Sequence, residues 1–273
     1  MTSEIRRLTR LTVATAKTVV ENPDDPADPV GGGGFADWAM LTLHALRLEL
    51  GKSYRQTVDL LSEMPGVLAE IGLTRVPHFT VLRDWFDRLP TRLWRAFLRV
   101  SAASRTGHAA VDATGFDRDQ PSRYYVQRAH YRDRSLKVTA LVDVGTLYVT
   151  DVHCTTTKTH DTRIGPQLAR RNARELRSLA ADRGYDAKAF RDELRANGVR
   201  PLIKHRIYSS LDHAHNARID SNSYNRRWMV ETAFSSIKRT LGSTLRARSW
   251  PLELREMILK CTVYNLRRSV RLP

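Results

Sequence analysis

The sequence predicts an α/β fold, a mixed sheet flanked by helices and preceded by a small all-helical module. Two observations carry that reading. Residues 35–100 show only helical apolar spacing. After residue 107 the pattern changes to three strand-like runs in succession, then alternating helix and strand, then helices.

The elements follow in order. Glu21 to Gly34 holds Pro23, Pro26, Pro29 and four consecutive glycines, so residues 1–34 read as a short N-terminal segment and a linker. Trp38, Leu41, Ala45 and Leu48 recur at helical spacing until Gly51 stops the run. Ser53 can cap a second helix through Val58, Leu61 and Met64, ended by Pro65 and Gly66. A third carries Leu82, Trp85, Phe86 and Leu89, and after Pro90 a fourth carries Trp94, Phe97 and Leu98. Short helices with tight breaks over 35–100 fit a helix-turn-helix-like DNA-binding module and, equally, a plain bundle. Residues 107–273 form the second domain. Strands are expected at His108–Phe116, Lys137–Val144 and Thr146–His153, with Gly145 at the turn of a hairpin. A helix over Asp161–Arg177, a strand at Ser178–Asp182, a helix over Asp186–Ala196 and a strand at Pro201–Lys204 come next. Long helices over Ser223–Leu241 and Leu252–Arg268 close the chain.

Composition narrows the function. Of 273 residues, 41% are hydrophobic and 27% charged, ordinary for a protein with a real core. The net charge of +16 is not ordinary, and it predicts a polyanionic partner. Residues 226–273 carry 11 basic and 3 acidic groups, half of that surplus, and are the expected phosphate-contacting surface, through Arg246, Arg248, Arg255, Lys260, Arg267, Arg268 and Arg271. No apolar run reaches the roughly 18 to 20 residues of a membrane span. The N-terminal stretch, with Thr12, Thr15, Lys17 and Thr18, is too polar for a signal peptide. Cys154 and Cys261 are too few for a disulfide framework or a thiolate zinc site, and His153, His160, His213 and His215 are irregularly spaced. An intracellular protein without a membrane partner is expected. Gly31 to Gly34 is no phosphate-binding loop, since no Lys-Ser/Thr pair follows it.

Two acidic residues stand in apolar strands, where a lone buried carboxylate is costly unless paired or metal-bound. Asp112 shares one face of its strand with Ala110 and Thr114, while Val111 and Ala113 take the other. Asp182 ends the run Leu179-Ala180-Ala181, as at a strand's C-terminal tip, where ligands gather in α/β sheets. Each is read alone as a cap or an ion pair. A third carboxylate, Glu231, lies in the helix over Ser223–Leu241. At about 100° per residue, Val230, Phe234, Ile237 and Leu241 form its core face, and Tyr224, Arg227, Glu231 and Lys238 form a strip beside it. By periodicity alone that strip reads as a solvated face with an Arg227–Glu231 pair. Asp143 and Asp151 also lie in strands but lack the context of Asp112. Trp228 and Trp250 read as packing residues before base-stacking ones.

The spacing Tyr224-x2-Arg227-x3-Glu231-x6-Lys238 resembles the YREK signature of DDE-class insertion-sequence transposases, in the superfamily of insertion-sequence families four and five. Val-Asp-Ala-Thr-Gly-Phe around Asp112, Ala-Asp-Arg-Gly-Tyr-Asp around Asp182, and the pair His160 and Asp161 resemble the same family, over roughly residues 35–270. In style the chain is similar to elements of halophilic archaea. The resemblance implies a ribonuclease H-like catalytic domain in which Asp112, Asp182 and Glu231 are catalytic and bind two divalent ions, Mg2+ or Mn2+. It implies DNA contacts from Tyr224, Arg227 and Lys238; Arg239, Arg246 and Arg248 join them on charge. The implied partners are double-stranded DNA, as element ends and target, and further copies of the chain. The implied place of action is the cytoplasm, on the nucleoid. Only 48 residues separate Asp182 from Glu231, little room for the large β insertion of some relatives.

Overall fold

Amphipathic helices too short to stand alone bury their apolar faces against one another before the first strand begins. The computed structural model describes residues 3–29, 34–102, 104–119, 135–157 and 159–271. The chain forms two compact units, Met1–Ala103 with Ile258–Pro273, and Ser104–Met257.

In the first unit, helix α1 (Glu4–Lys17) was not legible in the sequence because it is rich in threonine. The hydroxyls of Thr9, Thr12 and Thr15 donate to the carbonyls of Ile5, Leu8 and Leu11, so they are buried without loss of hydrogen bonds. Helix α2 (Asp37–Leu50) is buried continuously from Trp38 to Leu48, with α1, α3 (Tyr54–Ser62) and α5 (Phe79–Arg88) against it. Gly51 ends α2 in the left-handed region, φ 65°, and Ser53 caps α3 in a capping box with Gln56. Pro65 does not merely end a helix: it is the first residue of α4 (Pro65–Ile71), a position that needs no N–H. Helix α6 (Thr91–Ser101) completes the run. The segment expected as a linker is tied down through residue 29. Trp38 Nε1 donates to the Asp25 carbonyl at 3.1 Å, and Asp28 accepts from the Thr74 N–H and hydroxyl, each at 2.6 Å. A proline-rich composition bars a helix but not such bonds. Val30 to Gly33 lie outside the described residues.

The second unit is built on β1 (His108–Arg118), β2 (Ser135–Asp143), β3 (Val149–Thr155), β4 (Ser178–Ala181) and β5 (Arg200–Ile203). Their order is β3-β2-β1-β4-β5, antiparallel from β1 to β3 and parallel from β1 to β5, with β6 (Thr244–Leu245) beside the end of β1. This is the mixed sheet that the sequence predicts. Its two faces are chemically distinct. Val111, Leu141, Leu179, Ala181 and Ile203 pack under α7 (Asp161–Asn172) and α8 (Lys188–Ala196). The opposite face, with Asp112, Thr114 and Phe116, lies under the helices that follow β5. After α9 (Ser210–Ala217), which has no buried residue, these are α10 (Ser221–Asn225), which packs on β4 and β5, and α11 (Met229–Leu241), which packs on β1 and β2. Helix α12 (Trp250–Arg271) starts in this unit and contributes Ile258 onward to the first.

Gly145 lies in the turn between β2 and β3, as expected, and the left-handed residue of the connection is Leu147, φ 64°. Asp143 is the reason: buried, it accepts from the N–H groups of Thr106, Gly107, Gly145 and Thr146 and pins the loop around itself. Burial pushes its carboxyl up, but the bonds from Thr146 and Thr106 outweigh that and leave it below the usual value. Asp151 is likewise structural, accepting from Arg171 and Asn172 at 2.9 Å each.

Candidate active site

Strand register brings the first two carboxylates together. The parallel ladder pairs His108 with Ser178, Ala109 with Leu179 and Ala110 with Ala180. Two residues beyond that last pair come Asp112, within β1, and Asp182, just past the end of β4, near enough for the charge of Asp182 to act on the Asp112 carboxyl. Asp182 keeps an extended backbone, ψ 178°, and caps the 3-10 turn Arg183–Tyr185, its Oδ1 accepting from the Gly184 N–H at 2.7 Å. A side chain at Gly184 would put Cβ 2.8 Å from that oxygen, so any other residue there must displace the Asp182 carboxylate.

Asp112 is half-buried and accepts from the Ala113 N–H at 2.8 Å. Its carboxyl is raised above its ordinary value, by burial first and then by the charges of Asp182 and Glu231. Asp112 and Glu231 line one cavity of about 600 Å³, with Thr114, Phe234, Lys238 and Arg239. Glu231 stands at its rim, its side chain 62% exposed, and Arg227 approaches it at 3.9 Å. Among the described residues no three acidic, histidine or cysteine side chains are drawn together closely enough to ligate a metal. The donor chemistry fits a hard divalent ion, since all three groups offer carboxylate oxygens.

Lys238 is more tightly held than the sequence indicates. Its Nζ donates to Thr114 Oγ1 at 2.8 Å and lies 5.1 Å from the centroid of the Phe116 ring. Phe116 is itself packed edge-on against Phe234 of α11. Sequence reasoning placed Thr114 on the face of Asp112 but missed its partnership with Lys238, for which no local signal exists.

The helix expected over Ser223–Leu241 is broken. Asp220 caps α10, a 3-10 turn spans Arg226–Trp228, and α11 begins only at Met229. The break puts Tyr224 on a different helical segment from Glu231 and Lys238. Tyr224 is buried, its ring 4.3 Å from Lys204 Nζ and 5.7 Å from the Arg227 guanidinium. Arg239, Arg246 and Arg248 are exposed, the last two just after β6. Other expected phosphate contacts fare differently. Lys260 is buried, and Arg267 and Arg271 pair with Glu49 and Glu4. Trp228 and Trp250 are exposed, and Trp250 Nε1 donates to the Cys154 carbonyl.

The family model described as the transposase DDE domain matches residues 103–266, more than half of the chain. The chain belongs to the transposase DDE domain family. Its carboxylate-bearing sheet and α11 fall wholly within the matched DDE domain. Among solved structures it is similar to a piggyBac transposase synaptic complex with hairpin DNA. The TM-score is 0.49 at 10% identity, covering 95% of this chain and 71% of that one. No helix among the described residues is long and apolar enough to cross a membrane.

Proposed function

We propose that this DDE-domain protein is a YREK-type DNA transposase that binds the terminal inverted repeats of its insertion sequence. It cleaves the ends by phosphodiester hydrolysis and joins the freed 3′-hydroxyls to target DNA. The observation that carries this reading is the nearness of the Asp182 and Glu231 charges to Asp112, with Glu231 and Lys238 on the cavity that Asp112 lines. These three carboxylates are the residues to hold two magnesium or manganese ions. Such a pair of ions, when bound, clamps a phosphodiester and stabilises both attacking and leaving oxygens. The chain's own cations bind and orient the DNA. Lys238 and Arg239 face the cavity, Arg227 stands beside Glu231, and Arg246 and Arg248 extend the contact along the backbone. Tyr224, packed between two cations, supports them from below. The helical unit supplies further duplex contact, and several strand events on two ends imply a homo-oligomer on DNA.

The test uses a plasmid carrying the gene with its native flanks, incubated with purified protein and Mg2+ or Mn2+. Wild type is expected to break the flanking repeats and yield joined products. Glu231→Gln, which keeps size and helix propensity, is expected to bind the ends and do neither. Breaks without joints would make the protein a ribonuclease H-like nuclease. Binding without cutting by either protein would make it a DNA-binding protein descended from a transposase.

A further inference from the structure

The ammonium of Lys238 is the only lysine head lining the cavity of Asp112 and Glu231 among its described lining residues, and it is fixed by one strand. Thr114, two residues beyond Asp112 on β1, supplies the acceptor at 2.8 Å. Phe116, two residues further on the same face and fully buried, supplies the ring beneath. A lysine side chain is otherwise a flexible point charge with three rotating donors. With one N–H given to Thr114, two remain for the cavity. Asp112 and the anchor of Lys238 sit on one rigid strand, separated by about 6.6 Å of rise.

We propose that Thr114 is a positioning residue: its hydroxyl sets the Lys238 ammonium at a fixed place relative to Asp112, so that it meets a non-bridging oxygen of the scissile phosphate. This rests on the transposase reading above and assigns a role within the same site. A donor aimed before the reaction needs no reorganisation during it, so the benefit falls on the cleavage step rather than on binding of the ends. The ends are held by many phosphate contacts, of which this is one.

Two readouts test it. The first is the lysine ζ-ammonium signal in NMR spectra of 15N-lysine-labelled full-length protein, identified by its loss in Lys238→Ala. A hydrogen-bonded ammonium exchanges slowly with water and is expected to be visible in wild type. It should vanish in Thr114→Val, which keeps the β-branched shape, and persist in Thr114→Ser. The second is single-turnover cleavage at saturating DNA, beside the affinity for the ends. Thr114→Val is expected to cleave about tenfold slower with affinity changed less than about twofold, since only an interaction strengthened in the transition state is lost. Thr114→Ser should restore the rate. On the Lys238→Ala background, Thr114→Val should add nothing, because a residue acting through Lys238 has nothing left to position. An unchanged ammonium signal in Thr114→Val overturns the proposal, as does equal slowing with and without Lys238. If no version cuts DNA, the transposase reading falls, and the ammonium signal alone decides whether Thr114 holds Lys238.

Discussion

His44 is the least conventional single residue of the helical unit. It is fully buried, with Phe86, Trp94 and Tyr54 rings 5.3, 5.7 and 6.0 Å away. Burial first, and the Arg47 cation second, lower its pKa from 6.5 to about 3. As pH falls, the unfolded chain takes up a proton at this position near pH 6.5, while the folded chain stays neutral until about pH 3. The unfolded state therefore binds more protons across that window. Stability from His44 is complete above pH 6.5 and is lost progressively toward pH 3, at no more than about 1.4 kcal/mol per pH unit. Urea midpoints followed by tryptophan fluorescence between pH 7 and 4 measure this. His44→Leu should show a pH slope shallower by close to one proton. Parallel slopes would mean that His44 is not held neutral. An acid within an apolar strand is conspicuous in a sequence, so Asp112 and Asp182 could be picked out. Thr114 could not, because its partner is 124 residues away. A threonine in a strand is ordinary.

Elements were legible where one principle governs them and blurred where two compete. The alternation of strand and helix from His108 to Ile203 follows apolar runs, and Asn197 with Gly198 ends α8 as expected. The helix begun at Asp161 stops at Asn172 and finishes as a 3-10 turn, which no periodicity separates from a longer helix. Helix α9 is short and wholly without buried residues, so its apolar pattern carries no signal. Its fold is held by a capping box between Ser209 and Asp212 and by Asn216 bonding both ways to the backbone of His205. The approach of α7 to the Asp182 turn is also invisible in sequence, and it makes a prediction. At Gly165 in α7, a Cβ would lie 2.7 and 2.8 Å from ring atoms of the buried Tyr185. On an open helix, Gly→Ala stabilises by about 0.5–1 kcal/mol. Here overpacking against a rigid ring costs about 1–3 kcal/mol and wins. Gly165→Ala should lower the urea midpoint. Because Tyr185 belongs to the turn capped by Asp182, it should also slow cleavage. A raised midpoint would show that Tyr185 yields freely and that the packing of α7 does not locate Asp182.

At the scale of the whole molecule, a surplus of +16 does not translate into that many phosphate contacts. Buried and paired cations must be set aside first. Lys260 is 2% exposed, Arg118 is locked to the buried Glu253, and Arg267 and Arg271 face Glu49 and Glu4. Arg246 and Arg248 are both exposed, and the strand before them pairs with the end of β1, the strand of Asp112. Their loop is fixed from within: Glu256, itself buried, accepts from the N–H groups of Arg246 and Ala247 at 2.9 and 2.8 Å. A cation on a fixed loop releases counterions on binding a duplex, and each phosphate neutralised contributes about −0.9 to the log–log salt slope. Removing Arg246 and Arg248 together should therefore flatten that slope by about 1.8, measured by anisotropy on a duplex carrying one inverted repeat. Arg267→Ala should leave the slope unchanged even if it weakens the fold, since its partner is Glu49 rather than a phosphate. The slope is the better observable than affinity, because unfolding lowers the amount of active protein without changing how many ions each binding event releases. A slope untouched by loss of both arginines would move the DNA path away from β6. Equal flattening by Arg267→Ala would move it to the helical unit.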